Sequence, residues 1–154
     1  MKLKDYDERD GKKVWLSADE VAALLDDADG TEQKLALAFG ARCGLRAAET
    51  VAVTPNDIVS TPAGPRVRVW EGKADKYRET PLPADLAATV EAYADVRDDG
   101  PDTPLVDKST RTVERWVTRA SERRQAATGD RGWSYLGPHD LRRSWGTLLV
   151  QADV

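Results

Sequence analysis

A mainly helical α+β domain with one small antiparallel three-stranded sheet is the fold class that this sequence predicts. Three observations point there. Apolar residues recur at helical spacing before residue 45 and again after residue 83. Between these regions, residues 57–82 carry short runs of β-branched residues with period-two alternation, cut by proline and glycine turns. A length of 154 residues suits one domain with a substantial core.

The elements follow in order. Residues 1–14 are mostly polar and charged, are broken at Gly11, and read as a flexible lead-in or the end of a linker. Ser17 and Glu20 then form a capping box, and Val21, Leu24, Leu25 and Ala28 repeat along one helical face. Asp26, Asp27, Asp29 and Gly30 end that helix. Thr31 stands at the cap of a second helix, with Leu35, Ala38, Phe39 and Arg42 along its inner side. Gly44 suits the left-handed position that closes it. Gly44-Leu45-Arg46-Ala47-Ala48-Glu49 follows the break, so a short new helix can present Arg46 outward, with Glu49 three residues on to pair with it.

Ile58-Val59, Arg66-Val67-Arg68-Val69-Trp70 and Arg78-Glu79-Thr80-Pro81-Leu82 are the three strands, with a hairpin turn over Glu71 to Tyr77 that holds Lys73 and Lys76. Lysines at a hairpin tip serve solubility more often than chemistry. Pro83 starts a third long helix with Leu86, Val90, Tyr93 and Ala94 at helical spacing. A fourth runs from about Ser109 to Ala127, with Val113, Trp116, Val117 and Ala120 as its core stripe. Arg111, Arg115 and Arg119 form a second stripe on it, which either tracks phosphates or is a solvated face. Trp133 and Tyr135 lead into a final helix from Pro138, on which Leu141, Trp145, Leu148 and Leu149 are expected to face inward.

Composition excludes several classes. No apolar run approaches the roughly 20 residues of a membrane span, and the first residues lack the apolar stretch of a secretory signal. One cysteine, Cys43, excludes an internal disulfide, and one histidine with one cysteine argues against a zinc site. The expected protein is cytoplasmic, metal-free and without cofactor. Net charge is −4, yet residues 111–154 hold eight arginines against five acidic side chains. That asymmetry fits a local anion-binding face. Aspartate-rich, alanine-rich composition, with 15 arginines to 8 lysines, is similar to that of proteins from salt-loving organisms; high-GC coding bias yields the same look.

The stretch Gly137-Pro138-His139-Asp140-Leu141-Arg142-Arg143-Ser144 holds the sole histidine of the chain. Positions i and i+3 share a helix face, so His139 and Arg142 point together while Arg143 points elsewhere. An arginine fork and an imidazole aimed at one spot suit a phosphodiester: the guanidinium grips two oxygens and the histidine handles a proton. A helix start with a surface histidine and two solvated arginines fits the same short pattern.

Three features occur in a fixed order: Gly44-Leu45-Arg46-x-x-Glu49 after a helix; Gly72-Lys73-x-x-Lys76-x-Arg78 running to Thr80-Pro81-Leu82-Pro83; and His139-x-Leu141-Arg142-Arg143. Together they resemble the catalytic domain of the tyrosine recombinases, the phage-integrase family, over roughly residues 15–154. The resemblance implies that residues 1–14 are a linker or the remnant of a preceding domain. It implies Arg46 and Arg142 as catalytic arginines, Glu49 as the acid supporting Arg46, Lys73 as the hairpin lysine in preference to Lys76, and His139 as the histidine of the His-x-x-Arg box. Lys76, Arg111, Arg115, Arg119 and Arg143 are then candidate DNA contacts. The implied partners are double-stranded DNA and further recombinase protomers on it, and no metal or energy cofactor is implied.

In that family a tyrosine attacks a DNA phosphate, leaving a 3′-phosphotyrosyl link and a free 5′-hydroxyl. The family's tyrosine, and a His or Trp shortly before it, lie some tens of residues past the His-x-x-Arg box. Here Val154 is twelve residues past Arg142, and Tyr6, Tyr77, Tyr93 and Tyr135 all precede the box. The expectation is a catalytic fragment without its nucleophile, able to bind DNA weakly and unable to cleave alone. Two other functions compete: a non-catalytic DNA-binding or regulatory module with the same fold, and an acidic α+β interaction domain that binds no nucleic acid.

Overall fold

A computed structural model of the chain describes residues 1–70 and 77–152. Its elements are strands β1 (Lys2–Asp5) and β2 (Lys12–Trp15), helices α1 (Ala18–Asp26), α2 (Thr31–Cys43) and α3 (Ala47–Thr50), strands β3 (Ile58–Thr61), β4 (Gly64–Trp70) and β5 (Tyr77–Pro81), and helices α4 (Ala84–Arg97), α5 (Thr110–Thr128) and α6 (Pro138–Ala152). Short 3-10 turns at Pro55–Asp57 and Arg131–Tyr135 join them. The fold class is the expected one: a helical body with a three-stranded antiparallel sheet in the order β3-β4-β5.

Helix α2 is the centre of the body. Its run Leu35-Ala36-Leu37-Ala38-Phe39-Gly40-Ala41 is buried throughout. A helix apolar on every side packs neighbours on every side, and α2 touches α1, α3, α4, α5 and α6. Gly30, not Thr31, is its N-cap, and it offers no side-chain oxygen. Arg42 does not lie on the inner side as expected; it reaches out to a forked pair with Asp85 at 2.7 and 3.1 Å.

The end of α2 sets the site. Gly44 takes φ +72°, and its N–H reaches back to the Gly40 carbonyl at 3.2 Å, the 5→1 bond of a left-handed close, while the Leu45 N–H reaches the Phe39 carbonyl at 3.0 Å. Leu45 is buried behind it. Helix α6 crosses at this point. A Cβ on Gly44 would stand 2.4 Å from the Trp145 ring, and one on Gly40 would stand 3.2 Å from Leu141 Cδ1. The two glycines let α6 lie close to the end of α2, so the chemistry-bearing start of α6 comes beside the residue that follows the turn.

The sheet buries its inner face through Val67, Val69 and Thr80. Register pairs Val67 with Thr80 and Val69 with Arg78, so Arg78 lies on that inner face. Outside, the Trp70 and Tyr77 rings meet across the strands with centroids 5.0 Å apart and planes tilted by 46°.

Residues 1–14 differ from the flexible lead-in expected. Lys2–Asp5 and Lys12–Trp15 form an antiparallel hairpin, and Val14 is fully buried. Two α6 side chains hold the hairpin by its backbone: Asp140 accepts from the Val14 N–H at 2.9 Å, and the Ser144 hydroxyl accepts from the Leu16 N–H at 2.8 Å. The terminal ammonium pairs with Glu20 at 3.0 Å. Leu149, expected to face inward, is exposed at the outer end of α6. With Val21, Leu25, Trp145 and Leu148 it lines an apolar groove of about 610 Å³. Among the described residues, no helix is long and apolar enough to cross a membrane.

Candidate active site

Arg46 is the N-cap residue of α3, with extended φ/ψ of −71° and 158°. Its backbone N–H donates to Glu49 Oε1 at 2.8 Å, the return half of a capping box. Its Nη1 reaches Glu49 Oε2 at 3.3 Å, and the side chain is half exposed. Glu49 is gripped more firmly from the sheet: Arg78 donates to its two oxygens at 2.8 and 3.0 Å. Burial alone would raise the Glu49 carboxyl pKa. The Arg78 hydrogen bond and the Arg46 backbone N–H oppose it, and the group sits below its ordinary value.

The other half of the site is the first turn of α6. Asp140 Oδ2 accepts from the Gly137 N–H at 2.8 Å, which closes the helix start, and Asp140 itself is buried. His139 and Arg142 flank it, exposed and half-buried respectively. Together with Arg46, Ala47, Ala48, Thr110, Glu114 and Pro138 they line a concavity of about 270 Å³. The structure thus brings Arg46, His139 and Arg142 together from α3 and α6. Thr110 and Glu114, on the first turns of α5, join them without having been singled out in the sequence. Helical spacing gives the α5 core stripe, but not which flank meets the start of α6.

Arg143 is less remote than its spacing implies. It pairs with Asp140 at 2.8 Å. With His139, Arg142, Trp15, Trp145, Gly146 and Thr147 it lines a second, open concavity of about 510 Å³. Arg111, Arg115 and Arg119 are exposed along α5. Lys73 and Lys76 lie outside the described residues. Cys43 is buried, and burial pushes its thiol up to about 12, so it is inert as a nucleophile at neutral pH. Among the described residues, no group of three or more His, Cys, Asp or Glu is placed to hold a metal ion.

Two guanidiniums and an imidazole around one small hollow, with α5 and α3 as its walls, form a site for an anion with several oxygens. The sequence pattern of the phage integrase family matches residues 14–154, which takes in every element of this site. The chain belongs to the phage integrase family. It is 28% identical over 148 residues to a tyrosine recombinase of Thermosipho africanus, covering 91% of this chain and 49% of that protein. It is 31% identical over 143 residues to tyrosine recombinase XerA of Thermococcus kodakarensis, covering 90% and 49%. The chain therefore spans about half the length of the curated relatives it matches.

Solved structures agree on the integrase fold. A crystal structure of XerA recombinase superposes with a TM-score of 0.73 at 23% identity, over 92% of this chain and 52% of that one. XerH site-specific recombinase bound to its difH substrate superposes at 0.68 and 21% identity, over 90% and 43%.

Proposed function

We propose that this integrase-family chain carries the phosphate-gripping part of a site-specific DNA recombinase, which breaks and rejoins DNA strands through a phosphotyrosyl intermediate. One observation carries the reading: Arg46 converges on a single concavity with His139 and Arg142, which follow it by more than ninety residues in sequence.

The chemistry follows from the residue types. When a hydroxyl attacks a phosphodiester, negative charge gathers on the non-bridging oxygens. Arg46 and Arg142 hold that charge with no proton to lose. His139 takes or holds the proton of the attacking phenol. Lys73, the lysine the family resemblance implies, protonates the departing 5′-oxygen. Catalysis is then positioning and charge, with arginines in the place that other phosphoryl-transfer enzymes give to metal ions.

The four tyrosines support a nucleophile supplied from outside these residues. Tyr93 lies 5.5 Å from the Arg97 guanidinium, and Tyr77 packs against Trp70 on the outer face of the sheet. Tyr6 lies 4.0 Å from Arg9, and Tyr135 lies 5.7 Å from the Lys12 ammonium. The lining of the smaller concavity includes none of them. The same arrangement favours a second reading, a DNA-binding module that keeps the fold and does not cleave.

Cleavage of a nicked duplex separates the readings. The 154-residue chain is expected to give no covalent DNA adduct on a denaturing gel. Extended by the tyrosine-bearing segment of a relative, it is expected to form one, and Arg46→Ala is expected to lower the adduct rate by at least about a hundredfold while binding falls far less. A covalent adduct from the 154 residues alone would overturn the assignment of the nucleophile. Equal losses of binding and rate would favour the non-catalytic module.

A further inference from the structure

Strand β5 is bonded to the turn that presents Arg46 through both of its inward side chains. Thr80 Oγ1 donates to the Cys43 carbonyl at 3.0 Å, within the core. One strand position earlier on the same face, Arg78 forks onto Glu49, Nη1 to Oε2 at 2.8 Å and Nη2 to Oε1 at 3.0 Å. Glu49 thus serves two arginines unequally. Arg78 has both oxygens in a planar fork, the strongest geometry for this pair. Arg46 has one 3.3 Å bond from Nη1 and, among the described residues, no other side-chain partner.

The inequality has a consequence. Without Arg78, Glu49 would keep only the Arg46 N–H on Oε1 at 2.8 Å and could swing Oε2 onto the Arg46 guanidinium. That would neutralise Arg46 and occupy the donors an anion needs. Arg78 fixes the plane of the carboxylate and takes its better bonds, so Arg46 is steered by one long contact and is not captured by two.

We propose that Arg78 is a positioning residue for Arg46, acting through Glu49, and that β5 clamps the Gly44-Leu45-Arg46 turn in the orientation that faces the concavity. The functional consequence rests on the DNA-binding reading above; the clamp itself does not.

The test joins a double-mutant cycle to a direct view of Arg46. Affinity of the 154-residue chain for a fluorescein-labelled duplex is measured by anisotropy. Arg78→Gln is expected to weaken binding by about threefold to tenfold, the size of coupling within one ion-pair network. In an Arg46→Ala background the same change is expected to cost nothing more. Arg78→Lys keeps the charge but loses the planar fork, and is expected to recover only a minor part of the loss. In parallel, the Arg46 Nε–Hε NMR signal, assigned by its disappearance in Arg46→Lys, is expected to move in Arg78→Gln without DNA present. If Arg78→Gln does not fold, the same shift is read in Arg78→Lys. Equal losses in both backgrounds would overturn the proposal, since Arg78 would then act on DNA by itself. An Arg46 signal that does not move would also overturn it. A moved signal in a chain that binds no duplex would leave the clamp standing and sink the DNA reading instead.

Discussion

Glu49 holds its charge further into acid than an ordinary glutamate does. Burial would raise its pKa, but the Arg78 fork and the Arg46 N–H hold it below the ordinary glutamate range. Between the folded and unfolded pKa values the unfolded chain binds the extra proton. The pair therefore contributes fully above about pH 4.3, the unfolded value, and its contribution is lost as pH falls through the lower folded value. Glu49→Gln removes the titrating group. The urea midpoint of the wild type is expected to exceed that of the variant by a constant margin at neutral pH, and the margin is expected to shrink below about pH 4. A margin that persists in strong acid would mean that shape, not charge, is what Gln fails to replace. Spacing alone reveals the Arg46–Glu49 pair, because i and i+3 lie on one helical turn. It does not reveal Arg78, which meets Glu49 across 29 residues of chain through strand register.

At the scale of elements, legibility follows how local the cause is. The capping box at Ser17 is where the sequence puts it, with the Ser17 N–H to Glu20 Oε1 bond at 2.9 Å. The Gly44 close and the three strands are likewise set by neighbours in sequence. The β1–β2 hairpin is not. Lys12-Lys13-Val14-Trp15 has no clear alternation, and what makes it a strand docked on the body is Asp140, 126 residues away. In the sequence, Asp140 is an unremarked acid in the first turn of a helix. In the structure it accepts from the Val14 N–H, the Gly137 N–H and Arg143. Asp140→Ala leaves a buried N–H unpaired, at about 1–3 kcal/mol, which for a domain of this size lowers Tm by several degrees, about 2–4 °C per kcal/mol. The loss is expected at the hairpin: tryptic cleavage after Lys12 and Lys13 should speed up well before cleavage elsewhere. A lower Tm with an unchanged digestion pattern would place the damage in α6 and detach the hairpin from the argument.

For the molecule as a whole, the DNA-binding reading proposed above must account for how a chain of net charge −4 approaches a polyanion. The answer lies in where the cations are. Helix α5 begins at the smaller concavity, where Thr110 and Glu114 are part of the lining. Arg111, Arg115 and Arg119 lead away from it, exposed and without ion pairs among the described residues. At a rise of about 1.5 Å per residue, successive arginines stand about 6 Å apart along the axis. By contrast Arg123 and Arg124, further along, are tied into the body by Gln33 at 2.8 Å and Asp27 at 2.9 Å. The first three are therefore available to phosphates and the last two hold the fold. Each phosphate neutralised on duplex DNA steepens the fall of log affinity with log salt by about 0.9. Replacing Arg111, Arg115 and Arg119 together with alanine is expected to flatten that slope by about two to three, in anisotropy titrations over a series of salt concentrations. Arg46→Ala is expected to flatten it by about one. If the triple variant keeps the wild-type slope while Arg46→Ala reduces it, the α5 arginines are a solvated face. DNA then meets this domain at the concavity alone, and the acidic remainder of the surface limits how far contact can spread.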